Sequence, residues 1–313
     1  MKNKKLSVVI PAYNEEKNLE ILYEKLKSVL DRLKHEYELI FVDDGSTDKT
    51  FEVLEKLHKK DKRVKVIKFK KNFGQSAAMR AGFDYAHGDI IISMDADLQN
   101  DPNDIPALLN ELNKGYDVVC GWRYKRKDSL SKKIFSKFAN FLRNHLTNEK
   151  VHDSGCTLRA YKKECVKDLE LFGEMHRYIP ALLLWKGYKI GEVKVNHHPR
   201  KYGKTKYGYK RILRGFLDLL LITFWQKYSF RPMHIFGTLG IFSVIVGFLG
   251  GFYSIYLKIF KSVDLSDTAL PLFAVFMVMI GIQFIISGLL ADITIKNYYS
   301  NERKNYLVER VVE

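Results

Sequence analysis

The stretch Ile90-Ile91-Ile92-Ser93-Met94-Asp95-Ala96-Asp97-Leu98-Gln99 determines how the N-terminal part of the chain is interpreted. Its apolar first half is typical of a buried strand, and its second half places two carboxylates at the carboxyl end of that strand. An open α/β sheet binds ligands at this edge. In an extended chain Asp95, Asp97 and Gln99 point to the same side and offer oxygen ligands to Mg²⁺ or Mn²⁺. We therefore predict a divalent-cation site here, with a solvated turn as the alternative.

The surrounding sequence alternates short apolar runs with longer helical stretches, as expected for a mostly parallel α/β sheet. The predicted strands are Leu6–Ile10, Glu38–Val42, Val64–Phe69, Ile90–Met94 and Val118–Cys120, and the clearest helical stretches are Asn18–Leu33 and Thr50–His58. Polar clusters follow the first, second and fourth strands. Because parallel strands end at one edge, we expect these three clusters to share one crevice.

Two apolar stretches near the C-terminus, Ile235–Leu257 and Ala269–Ala291, are each 23 residues long and carry no formal charge. At about 1.5 Å per residue, each is long enough to cross a hydrocarbon core about 30 Å thick. We predict two transmembrane helices, with buried core helices as the alternative. The spacing Gly247-x-x-x-Gly251 favours close helix contact, and from it we expect a homo-oligomer.

The formal net charge of +16 points to an anionic partner, and its position selects the membrane. Lys and Arg residues are concentrated just before the first apolar stretch, where residues 209–231 predict an amphipathic helix on an anionic leaflet. We therefore do not expect nucleic-acid binding. The positive-inside rule places both long ends in the cytoplasm, no signal peptide is predicted, and the three cysteines fit a reduced compartment.

Four motifs occur in a fixed order along the chain: Pro11-Ala12-Tyr13-Asn14-Glu15, Val42-Asp43-Asp44-Gly45-Ser46-Thr47-Asp48, Asp95-Ala96-Asp97 and Arg200-Lys201-Tyr202-Gly203-Lys204-Thr205-Lys206. In this order and spacing they resemble the family 2 glycosyltransferases with the GT-A fold. More narrowly, the chain is similar to polyprenyl-phosphate glycosyltransferases, the group that contains dolichyl-phosphate mannose synthases and bactoprenol glucosyltransferases. The resemblance covers residues 6–210, and the paired apolar stretches match the bactoprenol-type branch.

The resemblance implies a role for each matching residue of the chain. A nucleotide-sugar donor would contact the following residues: Pro11, Tyr13, Glu15, Val42, Asp44, Asp95, Ala96, Asp97, Arg123, Arg200 and Lys206. Asp95, Asp97 and Gln99 would hold Mg²⁺ or Mn²⁺, and the catalytic residues would be Asp97, Arg123 and Asp153. Glu15 has an alternative role as a negative charge at a helix N-terminus. Arg200 and Lys206 have an alternative role as contacts to anionic lipid.

Weaker candidates are the segment 72–78, whose polar residues have helix capping as an alternative role, and Lys132 and Lys133 as acceptor-phosphate contacts. We expect His152, His176, His197 and His198 to have packing or surface roles, because no pair stands at metal-ligand spacing on a clear helix.

The resemblance, together with the apolar and basic stretches described above, implies four regions: a GT-A domain at 1–208, the amphipathic region at 209–231, two transmembrane helices at 232–293, and a cytoplasmic tail at 294–313. It also implies inverting, metal-dependent transfer of one hexose from a nucleotide sugar to polyprenyl phosphate. A phosphate monoester has its second pKa near about 6, so the acceptor needs no general base, and we expect Asp153 to orient groups or act electrostatically.

The two-span architecture favours UDP-glucose over GDP-mannose as the donor. A dolichyl-phosphate mannose synthase that uses GDP-mannose is therefore the first alternative. A processive polysaccharide synthase is disfavoured, because the sequence lacks a Gln-x-x-Arg-Trp signature. A non-catalytic membrane scaffold or flippase subunit is a third alternative, and the intact acidic and basic motifs argue against it.

Overall fold

The structure is a computed structural model that describes residues 4–124, 151–167, 169–199, 219, 221, 223–224 and 231–300. The chain divides into two compact units, Met1–Leu220 and Leu221–Glu313. The predicted amphipathic region falls largely outside the described residues, as do Arg200, Lys206, Lys132 and Lys133.

The first unit is built around one mixed sheet. Its strands are β1 (Leu6–Ala12), β2 (Tyr37–Asp43), β3 (Val64–Lys68), β4 (Ile90–Ser93), β5 (Val118–Arg123), β6 (Arg159–Lys162) and β7 (Ile190–Val195). Their order across the sheet is β3-β2-β1-β4-β6-β5-β7. Strand β6 runs antiparallel to both of its neighbours, and the other pairings are parallel. The carboxyl ends of β1, β2 and β4 therefore lie at one edge.

Helices cover the central strands, and this explains why those strands read as continuous apolar runs. The helices of the first unit are α1 (Leu19–Leu33), α2 (Thr50–Lys60), α3 (Gln75–Asp84), α4 (Ile105–Leu112), α5 (Lys163–Lys167) and α6 (Ile179–Trp185), with short 3₁₀ turns at Pro102–Asp104 and Met175–Tyr178. Helix α1 shows the packing principle. Its buried residues recur at helical spacing from Leu19 to Leu30 and meet the sheet, while its other face is polar.

The five predicted strands and both clear helical stretches are confirmed, with shifts of a few residues at their ends. Strands β6 and β7 were not among the predictions. β6 has only four residues and a charged residue at each end, and β7 alternates apolar and charged residues at the margin of the sheet. Neither pattern stands out from loop sequence without its neighbours.

The second unit contains two long apolar helices, α7 (Pro232–Lys261) and α8 (Leu270–Ser300), joined by a short 3₁₀ turn at Leu265–Asp267. Residues Pro232–Lys261 and Leu270–Asn297 have the length and composition needed to cross a membrane. Most of their large apolar side chains are exposed, as expected for helices whose surroundings are lipid. This confirms the two predicted apolar helices.

Glycines allow α7 and α8 to pack closely against each other. A Cβ on Gly240 would lie 2.7 Å from the Gly281 carbonyl oxygen, and a Cβ on Gly247 would lie 2.6 Å from Cγ2 of Val278. A Cβ on Gly251, in contrast, would meet no atom within 4 Å among the described residues. One glycine of the Gly247-x-x-x-Gly251 spacing therefore serves contact within the chain, and the homo-oligomer expected from that spacing stays a prediction.

Candidate active site

The loops that follow β1 and β2 are joined by hydrogen bonds. The Asn14 N–H donates to Oγ of Ser46 at 2.9 Å, and Oδ1 of Asn14 accepts from the Thr47 N–H at 2.8 Å. The Glu15 N–H donates to Oγ1 of Thr50 at 2.8 Å. Asn14 adopts a left-handed backbone with φ of 55°, which its short polar side chain tolerates. The convergence of these two loops at one edge is as predicted.

The predicted nucleoside contacts lie around this junction. Pro11 and Tyr13 are half-buried at the end of β1, whereas the Val42 side chain is fully buried within β2. Oε2 of Glu15 accepts from Nδ2 of Asn18 at 2.6 Å, one residue before α1 begins. Glu15 therefore orders the start of α1 in this structure. This is close to the helix N-terminal role that was given as its alternative.

Asp44 has a structural partner that the sequence did not reveal. Its carboxylate is buried and accepts the backbone N–H groups of Phe73 at 2.7 Å and Gly74 at 3.0 Å. It thereby fixes the turn that leads into α3. The neighbouring Asp43 accepts the Ser46 N–H at 3.0 Å and is fully buried, so its role in this structure is to hold the turn after β2.

The Asp-x-Asp segment forms a bent loop beyond the end of β4. The strand ends at Ser93, the chain bends over residues 96–98, and Leu98 has a φ of 63°. The extended geometry used to place Gln99 beside the two carboxylates therefore does not apply, because alternation of sides ends with the strand. A left-handed leucine is a strained conformation that surrounding structure must hold in place, and such strain is found at ligand-binding sites.

Both carboxylates of this loop are held by amide groups. Oδ1 of Asp95 accepts from Nε2 of Gln75 at 2.7 Å, and Oδ1 of Asp97 accepts from the Gln99 N–H at 3.1 Å. Asp97 is 7% exposed and Ala96 is buried beside it. Burial and the neighbouring Asp97 carboxylate raise the pKa of Asp95, against the opposing influence of the Arg123 and Arg159 guanidinium groups. The two carboxylates are therefore close enough to influence each other electrostatically.

This donor set fits a divalent cation that completes its shell with substrate oxygens. Mg²⁺ is commonly held by one or two carboxylates together with substrate phosphates and water. Among the described residues, no three His, Cys, Asp or Glu side chains are grouped as a metal site of their own. Asp95 and Asp97 could therefore contribute two ligands, and the remaining positions would belong to a bound phosphate and solvent.

The predicted residues Arg123 and Asp153 form a bidentate ion pair. Nε of Arg123 donates to Oδ2 of Asp153 at 2.6 Å, and Nη2 donates to Oδ1 at 2.8 Å. Both side chains are largely buried, at 15% and 10% exposed. The parallel two-bond geometry is the strongest arrangement available to these groups. The structure thus pairs two residues that were predicted separately from segments 30 residues apart.

Helix α3 contributes residues that the sequence suggested only weakly. Its N-cap, Gly74, has no side-chain cap, so Gln75 and Ser76 do not serve as caps. Instead, Gln75 reaches Asp95, and Oγ of Ser76 lies 2.9 Å from Nδ1 of His176. His176 is buried, which agrees with the packing role predicted for it.

Arg159 was missed as a functional candidate. It lies on β6 directly opposite Ser93, at the end of β4, and is 1% exposed. Nη1 donates to the His176 carbonyl at 3.1 Å, and Nη2 donates to the Ser154 carbonyl. Its positive charge favours the ionised form of Asp95. A buried cation at this point was detectable only after β6 was placed beside β4.

The segment before the basic motif is tied to the Asp-x-Asp loop. The His198 N–H donates to the Gln99 carbonyl at 2.9 Å, and Nε2 of His198 lies 2.9 Å from Oδ2 of Asp101. Nδ1 of His197 lies 3.2 Å from the same Gln99 carbonyl. These histidines therefore join the two segments at the surface, which agrees with the packing or surface roles predicted for them. Arg200 and Lys206, which follow them in sequence, lie outside the described residues.

Comparisons with known proteins agree with this arrangement. Residues 7–170 match the family described as Glycosyl transferase family 2. The chain is 38% identical over 314 residues to dodecaprenyl-phosphate galacturonate synthase of Rhizobium johnstonii, with 98% of this chain and 93% of the relative covered. It is 36% identical over 312 residues to undecaprenyl-phosphate 4-deoxy-4-formamido-L-arabinose transferase of Photorhabdus laumondii, with 99% and 94% covered.

Among solved structures, the chain resembles glucosyl-3-phosphoglycerate synthase from Mycobacterium tuberculosis in complex with Mn²⁺ and UDP-glucose. The TM-score is 0.53 at 20% identity, covering 70% of this chain and 79% of the other. At this identity the likeness concerns the fold, and it confirms the predicted GT-A architecture.

Proposed function

The chain belongs to glycosyl transferase family 2, and from this premise we propose how its site carries out sugar transfer to a lipid phosphate. It is a glycosyltransferase of the polyprenyl-phosphate sugar transferase type, as its relatives over nearly the whole chain are. The finer proposal is inverting transfer of one hexose, with UDP-glucose as the donor and divalent-metal dependence.

One observation carries this proposal: the loop that bears Asp95 and Asp97 lies within electrostatic reach of the largely buried pair of Arg123 and Asp153. Asp95 and Asp97 supply negative charge, and the Arg123 guanidinium opposes the rise in the pKa of Asp95. A cation-bridged diphosphate fits the first feature, and a phosphate monoester fits the guanidinium of the second. The site therefore suits a reaction between two phosphate-bearing substrates.

The acceptor phosphate is its own nucleophile in this scheme. With its second pKa near about 6, a phosphate monoester is largely a dianion at neutral pH. A phosphate oxygen forms a bond to the anomeric carbon while the bond from that carbon to the donor's β-phosphate oxygen breaks, and the electron pair leaves on the nucleoside diphosphate. One displacement inverts the anomeric configuration. Asp153 need not remove a proton.

We assign the Arg123–Asp153 pair to acceptor binding. Before the lipid arrives, each side chain neutralises the other in a largely buried position. An arriving phosphate dianion would compete with Asp153 for the guanidinium of Arg123, since guanidinium binds both anions in the same bidentate geometry. Asp153 then limits access of weaker anions and orients Arg123.

Asp95 and Asp97 would hold Mg²⁺ or Mn²⁺, with Gln99 acting directly or through water. When bound, this ion would offset charge that grows on the departing diphosphate. Gln75 would orient Asp95 through the 2.7 Å hydrogen bond between their side chains. The nucleoside would lie against Tyr13 and the joined loops that follow β1 and β2.

For localisation, we propose that both apolar helices span the membrane and that the catalytic unit and the C-terminus lie on the cytoplasmic side. The basic residues that precede α7 support this orientation and a contact with the anionic leaflet. Arg200 and Lys206 would contact donor phosphates, lipid phosphates, or both.

The proposal has several candidate sugars for the donor. The relatives are named for galacturonate and for 4-deoxy-4-formamido-L-arabinose, which makes these sugars direct competitors of glucose. We expect one donor to be strongly preferred, since hydroxyl-reading sites reject analogues through unpaired buried polar groups. GDP-mannose remains the alternative with a different base.

A donor panel tests the proposal with the full chain in lipid nanodiscs. Radiolabelled UDP-glucose, UDP-galacturonate, UDP-4-deoxy-4-formamido-L-arabinose and GDP-mannose are each mixed with undecaprenyl phosphate and Mn²⁺ or Mg²⁺. The expected product is a lipid-linked sugar that mild acid releases, formed only with metal. Transfer from none of these donors contradicts the proposed activity, and equal transfer in chelator contradicts the metal requirement.

A further inference from the structure

Glu192 on β7 contacts the loop that carries Asp153 but has no predicted role. We propose that Glu192 is a positioning residue that holds Asp153, and through it Arg123, in place for the acceptor phosphate. This inference rests on the proposed function. Glu192 itself would touch neither substrate.

Three contacts from a single carboxylate carry the inference. Oε1 of Glu192 accepts the backbone N–H of His152 at 2.8 Å and that of Asp153 at 3.2 Å. Oε2 lies 2.7 Å from Nδ1 of His152. The Glu192 side chain is 15% exposed, so its carboxylate is largely buried, although the His152 side chain that it contacts is 62% exposed. Glu192 thus fixes the main chain from which the Asp153 side chain extends.

Strand β5 also contacts this loop. The ring of Trp122 stacks on His152 with centroids 4.3 Å apart and planes 16° apart. The next residue, Arg123, binds the Asp153 carboxylate through two bonds and also donates its backbone N–H to Oδ2 at 3.3 Å. Strands β5 and β7 are paired, with Cys120 opposite Glu192. Glu192 therefore completes a rigid frame around Asp153.

The position of the Arg123 guanidinium depends on this frame, because its two bonds to Asp153 require both groups to share one plane. A catalytic group misplaced by about 1 Å can cost about 100-fold in rate. Without Glu192 the two N–H groups lose their acceptor, and the 152–153 main chain can shift. The effect should fall on turnover with the lipid acceptor, since the donor loops have other supports.

A matched residue occurs at the opposite end of the same strand pair. Oδ2 of Asp117 accepts the Lys189 N–H at 2.9 Å, and Oδ1 accepts from Nζ of Lys162 at 2.6 Å. Its side chain is 19% exposed, close to the value for Glu192. Asp117 likewise joins a main-chain segment to the sheet, but at the edge away from the site. A variant of Asp117 therefore serves as the control that distinguishes a loss of stability from a loss of positioning at the site.

The test compares Glu192→Ala, Glu192→Gln and Asp117→Ala in the full chain in nanodiscs. We expect Glu192→Ala to lower kcat by about 10- to 100-fold with the donor KM changed by less than about threefold. Glu192→Gln should stay within about threefold of wild type, because its carbonyl accepts the same N–H groups and its amide can donate to His152. Asp117→Ala should lower the melting midpoint comparably but keep kcat within about threefold.

A double-variant comparison separates positioning from independent action. If Glu192 acts through Asp153, adding Glu192→Ala to Asp153→Asn should slow transfer by less than about threefold beyond Asp153→Asn alone. If the rate losses of Glu192→Ala and Asp153→Asn instead multiply in the double variant, the inference is overturned. A Glu192→Ala enzyme with wild-type kcat would also overturn it. An equal loss of kcat in Asp117→Ala would also overturn it, by showing a general loss of folding.

Backbone hydrogen exchange tests the frame independently of transfer. The amides of residues 151–157 should exchange faster in Glu192→Ala than in wild type or Asp117→Ala, and unchanged exchange would overturn the inference. Wild-type protein that transfers no sugar to undecaprenyl phosphate would instead overturn the proposed function.

Discussion

Carboxylates at the two edges of the catalytic sheet have pKa shifts in opposite directions. At the amino edge, Glu38 is 2% exposed and accepts from Oγ of Ser7 at 2.6 Å and from the His87 N–H at 2.7 Å, with Nζ of Lys65 at 2.6 Å. Burial acts to raise the pKa of Glu38, but Lys65, Ser7 and His87 outweigh it and lower the pKa to about 2. At the carboxyl edge, the pKa of Asp95 is raised.

This difference agrees with the proposal that the carboxyl edge binds a ligand, whereas Glu38 at the amino edge already has its partners within the fold. Glu38 has a cation and two donors, so its charge contributes to stability. Asp95 instead lies beside the like charge of Asp97, an arrangement that costs stability and persists at sites selected for binding. We therefore interpret the amino edge as a structural network and propose the carboxyl edge as the functional one.

The largest expected effect comes from removing a carboxylate at the carboxyl edge of the sheet. Asp97→Ala should reduce transfer by about 100- to 1000-fold or more, because an electrostatic contact to the reacting phosphates is lost. The melting midpoint should stay equal or rise, since the repulsion between Asp97 and Asp95 disappears. Initial-rate assays and thermal unfolding of the full chain measure both effects.

The control for this variant is Asp84→Asn, which removes an exposed charge paired with Arg80 in α3. It should leave transfer and stability near wild type. Equal activity in Asp97→Ala and wild type would contradict the assignment of the loop to the donor.

Removing the carboxylate at the structural edge should give the reverse pattern. Glu38→Ala leaves the Lys65 ammonium and the Ser7 and His87 donors without their acceptor, and we expect a loss of about 3 kcal/mol. For a domain of this size that corresponds to about 6 to 12 °C in melting midpoint. At a temperature where the variant is folded, kcat and the donor KM should match wild type. A selective rise in donor KM would show that this edge also binds substrate.

A smaller effect is expected in the pH dependence of stability. The pKa of Glu38 in the folded chain is about 2, below its ordinary value of 4.5. Its contribution is therefore complete above pH 4.5 and declines as the pH falls from there toward 2. The difference in melting midpoint between wild type and Glu38→Gln should narrow between pH 6 and pH 3. A constant difference over this range would show that the Glu38 charge does not stabilise the fold.

The sequence revealed the parts of the site that depend on local pattern. Apolar runs followed by polar clusters located the ends of β1, β2 and β4, and parallel pairing brought those ends to one edge. The charge-free runs of α7 and α8 were equally clear, because membrane length is a property of contiguous sequence.

What the sequence did not reveal are partners that meet only after folding. Gln75 with Asp95, Arg159 with the Ser154 carbonyl, and Glu192 with the 152–153 main chain depend on which strands become neighbours. The antiparallel strand β6 brings Arg159 beside the end of β4, and its four residues gave no periodic signal. The left-handed backbone of Leu98 likewise had no signal in the sequence.

The central claim is that Asp95 and Asp97 bind a divalent cation together with a nucleotide diphosphate. The most direct test is Mn²⁺ binding to the full chain in nanodiscs, measured by electron paramagnetic resonance with and without UDP. The claim predicts UDP-dependent uptake of Mn²⁺ by wild type and by Glu38→Gln, and its loss in Asp97→Ala. Equal Mn²⁺ uptake by Asp97→Ala and wild type would contradict it.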